Sequence, residues 1–165
     1  MTFALRRTTL FLSSPKTMAQ FFISYAREDV RYAQKLARLL EETGHTVWWD
    51  RHMKAGDDIN VVIDAELAKA SAVIVLWSKE SVQSNWVRGE AQTALDDGKL
   101  IPAKIEECRL PINFRHFHTP ELFQSDQEFH SLAALLSEKV SGAPSTNATA
   151  AGTPHQELQT PEVQF

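Results

Sequence analysis

A run of six apolar residues from Ala72 to Trp77 constrains the fold of this chain more than any other feature of its sequence. A strand with one face in water alternates apolar and polar residues, whereas an unbroken apolar run is typical of a strand that is buried on both faces. Such strands occur in parallel sheets, because the connecting helices cover both faces. The run therefore predicts the central strand of a parallel sheet in an α/β fold.

Helix and strand patterns alternate along the rest of the chain. The best-defined helix follows Asp29, which can cap it, and ends before Gly44. Its apolar residues recur with the 3.6-residue period of a helix, at Val30, Ala33, Leu36, Ala37 and Leu40. Other strands are predicted at 21–24, 46–50, 100–105 and, as a short last strand, near 120–123, and other helices at 58–67, 84–97 and 127–140. Pro102 indicates that its strand lies nearer an edge of the sheet, because proline cannot donate a ladder hydrogen bond.

This alternation predicts an open, doubly wound sheet with helices on both faces and right-handed crossovers. Sheets of this kind bind ligands outside the carboxyl ends of their strands. Four polar or aromatic residues fall at that edge, namely Ser24, Tyr25, Asp50 and Ser78.

Composition limits the classes of function. The chain has 165 residues, of which 43% are apolar and 23% charged, and this fits one globular domain. A formal net charge of −4 and the absence of a lysine or arginine block exclude the basic footprint of a protein that binds nucleic acid or an anionic membrane. The longest apolar run is too short to span a bilayer. We therefore expect no nucleic-acid partner and no membrane association.

Cysteine and histidine usage argues against two further kinds of site. Cys108 is the single cysteine, which excludes an intramolecular disulfide and fits a reducing, cytoplasmic location. Its neighbours Glu106 and Glu107 disfavour a thiolate, so we do not expect a nucleophile there. The six histidines form no metal-binding spacing, and His116 and His118 alternate in a predicted loop. We predict no metal.

The two ends of the chain differ from its middle. Residues 1–17 weakly resemble an export signal, but the apolar stretch is short and no small-residue cleavage site follows, so we expect a disordered extension with Met18 as an alternative start. Residues 142–165 are small, polar and proline-bearing, as in a disordered linker or tail. The expected domain is 18–141, and the linker suggests a piece of a longer protein with a fused or partner sensor domain.

Trp86 and Glu90 are the candidate site residues that the spacing itself indicates. Side chains at i and i+4 share one face of a helix, so an aromatic platform and a carboxylate can line one pocket. This pair suits cleavage of a nicotinamide ribonucleotide, because the leaving group is already cationic and one anion can stabilise the oxocarbenium-like centre. The alternative is a solvated surface glutamate beside a core tryptophan.

Six ordered motifs resemble those of a bacterial-type Toll/interleukin-1 receptor (TIR) domain between about residues 19 and 140. They are 22–26 (FISYA) followed by Asp29, 44–50 (GHTVWWD), 56–57 (GD), 75–78 (VLWS), 84–90 (SNWVRGE) and 110–111 (LP). The resemblance implies a flavodoxin-like sheet of five mainly parallel strands. It also implies a self-association loop made of Arg51, His52, Met53, Lys54, Ala55, Gly56, Asp57 and Asp58. In the NAD-cleaving members, the glutamate one turn after the tryptophan is essential, and here that residue is Glu90.

The resemblance implies roles for further residues. NAD⁺ is then the substrate, and no separate cofactor is expected. Trp86 would stack on a ring and Arg27 would contact the pyrophosphate. Tyr25 would line the cleft and Trp48 would form its floor, whereas their alternatives are aromatic packing and a core position. Two serines would donate to the ligand or only cap strand ends, namely Ser24 and Ser78.

Three functions compete at this point. The first is an NAD⁺ glycohydrolase or cyclase, activated by self-association, in signalling or anti-phage defence. The second is a TIR module without catalysis that recruits partners. The third is a phosphoacceptor receiver domain, for which Asp50 ends a strand, but the acidic cluster expected after the first strand is absent. Retention of both Trp86 and Glu90 favours the enzyme.

Overall fold

The structure, a computed structural model, describes residues 18–49 and 59–140. In this part of the chain four strands alternate with four α-helices. The strands are β1 (Gln20–Ser24), β2 (Thr46–Trp48), β3 (Ala72–Trp77) and β4 (Leu100–Lys104). The helices are α1 (Val30–Glu42), α2 (Ile59–Lys69), α3 (Asn85–Asp96) and α4 (Asp126–Val140). Short 3-10 helices lie at Arg27–Asp29 and Ile112–Phe114.

The strands form one parallel sheet in the order β2-β1-β3-β4. After β1 the chain adds β2 on one side, and it then returns to add β3 and β4 on the other side. The strand order therefore changes direction between β1 and β3, which is where doubly wound sheets bind ligands. Ser24 ends β1 beside Val75 of β3, and Ser78 follows β3 at the same edge.

Both faces of the sheet are covered, as the apolar run predicted. All six residues of β3 are buried. Helices α1 and α4 cover the face that carries Phe21, Ile23 and Ile74. Helices α2 and α3 cover the opposite face, where Phe22 and Val75 lie. The prediction of a central strand in an α/β sheet is confirmed.

The predicted fifth strand is reduced to a single parallel bridge between Lys104 and Glu121. Its two backbone hydrogen bonds run from the Lys104 N–H to the Pro120 carbonyl, at 2.8 Å, and from the Leu122 N–H to the Lys104 carbonyl, at 2.7 Å. Pro120 cannot donate, so the pairing does not extend backwards along this segment. Among the described residues the sheet thus has four strands, and β4, which contains Pro102, lies at its edge, as predicted.

The turns that end α1 and α3 follow the sequence. Gly44 and Gly98 adopt φ values of 88° and 69°, in the left-handed region that glycine occupies without strain. Ser84 caps α3, since its hydroxyl accepts a hydrogen bond from the Val87 N–H at 3.3 Å. The register of α3, and with it the direction of the Glu90 side chain, is set at this cap.

Candidate active site

Glu90 lies on the face of α3 that packs against the sheet. Val87 and Ala91, which flank it on that face, are fully buried in the core. The Glu90 side chain itself is only 5% exposed. A glutamate this deep is unusual for a structural helix position, because burying a carboxylate costs free energy unless hydrogen bonds compensate it.

Hydrogen bonds from Ser24 and Trp86 hold the Glu90 carboxylate. The Ser24 hydroxyl, from the end of β1, donates to Oε2. The Trp86 indole Nε1–H, from one turn earlier on α3, donates to Oε1 at 2.5 Å. The predicted sharing of one helix face by Trp86 and Glu90 is confirmed.

Trp86 is 36% exposed, so it lies at the rim of the site instead of in the core. The alternative of a core tryptophan beside a solvated glutamate is wrong on both counts, because the glutamate is the buried partner. The indole N–H, by donating to Glu90, orients the carboxylate.

Tyr25 and Trp48 have structural contacts at the same edge. The Tyr25 hydroxyl donates to the Trp49 carbonyl at 2.7 Å, which ties the chain after β2 to the end of β1. Trp48 stacks on Phe22, with ring centroids 4.8 Å apart and planes 17° apart. Trp48 is half-buried and contributes to the apolar cluster under α2 and α3. Both side chains thus show the packing alternative, and their predicted contact with substrate stays a prediction.

Arg27 is exposed at the start of the 3-10 helix that follows β1. In the part of the chain that the structure describes, its guanidinium makes no ion pair, so its charge is not neutralised there. Asp50 and the predicted self-association loop at 51–58 lie outside the described residues.

Ser78 is buried and its hydroxyl is engaged within the protein, so its predicted contact with substrate stays a prediction. Its hydroxyl donates to the Asp29 carboxylate at 2.5 Å and accepts from the Ser81 N–H at 3.0 Å. The Ser81 hydroxyl in turn accepts from the Ser78 N–H at 2.7 Å. Sequence reasoning missed Ser81, for which the Ser-x-x-Ser spacing was the available signal.

Asp29 occupies the N-cap position of α1 but makes no side-chain capping bond, contrary to the prediction. Its carboxylate instead joins the β1–α1 segment to the turn after β3 through Ser78. The first of these segments follows Ser24, which contacts Glu90, and the second precedes α3, which carries Glu90 and Trp86. The Asp29–Ser78 bond therefore stabilises the edge of the sheet that carries the candidate site.

Burial raises the pKa of Asp29 above its ordinary value of 3.8; the Ser78 hydrogen bond opposes this, and the negative charges of Glu106, Glu28 and Glu80 add to it. The ionised carboxylate therefore costs stability, a cost that is absent well below pH 3.8 and develops as the pH rises through the raised pKa.

We expect Asp29→Asn to increase the free energy of unfolding at pH 7, because the amide oxygen still accepts from Ser78 without the charge. Urea titrations across pH 3 to 8 measure this difference. A variant that is less stable at pH 7 than the wild type would contradict the account.

The thiol of Cys108 is kept protonated. Burial raises the pKa of Cys108; the Lys104 ammonium lowers it, and the carboxylates of Glu106 and Glu107 raise it. Burial, which the sequence did not reveal, is the largest of these effects. Within residues 18–49 and 59–140, no group of three His, Cys, Asp or Glu side chains is placed to hold a metal ion. None of the helices described there is long and apolar enough to cross a membrane.

The family model described as "TIR domain" matches residues 21–136, which run from the second residue of β1 through most of α4. The chain belongs to the TIR domain family. NAD(+) hydrolase TcpC of Escherichia coli O6:H1 is 32% identical to this TIR domain over 92 residues, which cover 52% of this chain and 30% of that protein. The chain thus spans less than a third of that relative.

Solved structures share the fold. The TIR domain of the Toll-related receptor TRR-2 from Hydra magnipapillata superimposes with a TM-score of 0.63 at 20% identity, covering 73% of this chain and 96% of that one. A 2-deoxyribosyltransferase from Bacillus psychrosaccharolyticus superimposes with a TM-score of 0.55 at 14% identity, covering 71% and 96%. At these identities the likeness concerns the α/β architecture alone.

Proposed function

We propose that this TIR domain cleaves the glycosidic bond of NAD⁺, releasing nicotinamide and ADP-ribose or its cyclic form. The observation that carries the proposal is the buried Glu90 carboxylate, held by Ser24 and Trp86 near the switch point of the sheet. This carboxylate lies at the edge where doubly wound sheets bind ligands. The similarity to NAD(+) hydrolase TcpC supports the same chemistry.

The chemistry needs one well-placed anion. The nicotinamide ring of NAD⁺ carries a positive charge, and it leaves as neutral nicotinamide when the bond to the ribose breaks. The positive charge then passes to the ribose, which becomes oxocarbenium-like. The Glu90 carboxylate stabilises that charge and accepts hydrogen bonds from ribose hydroxyls. Water attacks the anomeric carbon and loses a proton to the solvent to give ADP-ribose, or a nucleophile within the same ADP-ribosyl group attacks that carbon and closes a ring.

Two further residues serve binding in this proposal. The exposed part of Trp86 stacks on a substrate ring, for which about 1 kcal/mol is the usual scale. Arg27, whose charge is unpaired among the described residues, contacts the pyrophosphate. The Ser78 hydroxyl is bonded to Asp29 and Ser81, so in this proposal it supports the edge of the sheet.

The test is direct detection of nicotinamide. The purified full chain is incubated with NAD⁺, and the products are separated by chromatography to distinguish linear from cyclic ADP-ribose. Nicotinamide release above the rate of a heat-denatured sample supports the proposal. A folded chain that binds partners but releases no nicotinamide would favour the module without catalysis, the second function that the family offers.

We further propose that the enzyme acts in the cytoplasm, in signalling or anti-phage defence, and that self-association through residues 51–58 activates it. Specific activity should then rise severalfold with protein concentration, because a larger fraction of the protomers is assembled at high concentration. Gly56→Pro should flatten this rise, since proline fixes φ and removes a backbone donor. NAD⁺ turnover per molecule is measured across a wide concentration range beside light scattering, with an inert protein keeping total mass constant. Activity independent of concentration would contradict activation by assembly.

A further inference from the structure

Ser24 occupies a position from which it contacts Glu90 but not solvent. It is the last residue of β1, its backbone pairs with Val75 of β3, and its side chain is 0% exposed. A bound substrate contacts only surface that is open to solvent. The Ser24 hydroxyl therefore acts on a ligand through Glu90 and not by direct contact, which differs from the ligand role that the resemblance implies.

Ser24 and Trp86 orient Glu90 differently, because they belong to different elements. Trp86 lies on α3 itself, so its indole N–H orients the carboxylate relative to the helix. Ser24 belongs to the sheet, so its hydroxyl orients the carboxylate relative to β1 and β3. Of these two bonds, only the one from Ser24 couples the glutamate to the sheet edge at which the substrate is expected.

A hydroxyl that donates to a carboxylate also favours its ionised form, and burial opposes this form. Both effects bear on Glu90, which must be an anion to stabilise the positively charged ribose. Loss of the Ser24 hydroxyl would leave a buried carboxylate with less compensation and with more freedom to rotate. The rate of the chemical step would fall more than the affinity for substrate, because the substrate does not contact Ser24.

We propose that Ser24 is a positioning residue that fixes the orientation and the ionised state of the Glu90 carboxylate for glycosidic cleavage. The inference rests on the proposed function for its kinetic consequence, although the contact itself can be tested without activity. Ser24→Ala should lower kcat about tenfold to a hundredfold, the range for loss of one hydrogen bond to a charged group. KM should change less than about twofold, and the acid limb of the kcat/KM profile should move to higher pH.

Two other serine variants make the comparison specific. Ser24→Thr keeps the hydroxyl and should recover most of kcat. Ser81→Ala is the matched control, because Ser81 is an equally buried serine near the same edge that does not contact Glu90. It should lose similar stability in thermal melts and leave the kinetics of NAD⁺ cleavage unchanged.

A second measurement separates this inference from the proposed function. The full chain is labelled with ¹³C at glutamate carboxyl carbons, and the Glu90 signal is identified by its loss in Glu90→Gln. Its titration should move to higher pH in Ser24→Ala and stay unchanged in Ser81→Ala. If the wild type releases no nicotinamide, the proposed function fails while this titration still decides the role of Ser24. An unchanged Glu90 titration, a kcat within about twofold of wild type, or a rise in KM alone would overturn the positioning role.

Discussion

Glu90→Gln should lower the rate of nicotinamide release at least about 10²-fold while leaving the fold intact. Removal of one dominant electrostatic group from an active site commonly costs 10²- to 10³-fold in rate. The amide oxygen of glutamine still accepts from the Trp86 N–H, and the Ser24 hydroxyl can turn to accept from the amide nitrogen. Both hydrogen bonds therefore survive, and what is lost is the negative charge.

The matched control for this substitution is Asp29→Asn. It also converts a buried carboxylate at the carboxyl edge of the sheet to an amide, but Asp29 contacts Ser78 and not the candidate site. Kinetics of the full chain with NAD⁺ and thermal melts are measured for both variants. We expect Asp29→Asn to cleave NAD⁺ within about twofold of wild type. A Glu90→Gln variant with wild-type activity and wild-type melting would remove Glu90 from the mechanism.

Periodic apolar patterns made most of the fold predictable. The β3 run and the α1 pattern depend on the burial of whole faces, so one misjudged residue does not change the result. The last strand was less predictable, because only a few residues carried the signal and Pro120 removes a donor where pairing would extend. Strand length at a sheet edge depends on tertiary contacts that a short pattern does not contain.

The site was predictable where its contacts are local and not where they are distant in sequence. Trp86 and Glu90 are four residues apart, so helical geometry alone places them together. Ser24 lies 66 residues from Glu90, and Ser78 lies 49 residues from Asp29. Both serines end or follow a strand, and their sequence contexts look alike. Only the packing of α3 and α1 against the sheet decides that one hydroxyl contacts Glu90 and the other contacts Asp29.

The Asp29 side chain shows that a residue type typical of the N-cap predicts where a helix begins but not the hydrogen bond that its side chain makes. Asparagine, aspartate, serine and threonine favour the N-cap because their side chains reach the first free N–H groups of a helix. Here a 3-10 turn precedes α1, and the Asp29 N–H bonds to the Ala26 carbonyl at 2.8 Å. The carboxylate therefore makes no capping bond and accepts a hydrogen bond from the buried Ser78 hydroxyl instead.

Trp86→Ala should lower kcat/KM for NAD⁺ about 10²- to 10³-fold, because it removes two interactions at once. Loss of the indole N–H removes a hydrogen bond to the Glu90 carboxylate, worth about 1.5–3 kcal/mol for a charged acceptor. Loss of the ring removes stacking on the substrate, worth about 1 kcal/mol. Since a third of the indole is already exposed, stability should fall by only about 1–2 kcal/mol, less than the 3–5 kcal/mol typical of a buried tryptophan.

Trp86→Phe separates the two interactions, because phenylalanine keeps an aromatic ring and has no N–H. We expect its KM to stay near that of the wild type and its kcat to fall about tenfold or more, as in Ser24→Ala.

Phe123→Ala is the matched control for the loss of a partly exposed aromatic residue, since Phe123 is 38% exposed and follows the bridge at the β4 edge. It should leave turnover of NAD⁺ unchanged. Stopped assays over a range of NAD⁺ concentrations, with melts of every variant, provide the values. A Trp86→Phe enzyme with wild-type kcat would show that the N–H does not orient Glu90 and that stacking alone explains the tryptophan. A sharp loss of melting temperature in Trp86→Ala with normal turnover of the folded fraction would instead assign Trp86 to the core, against its 36% exposure.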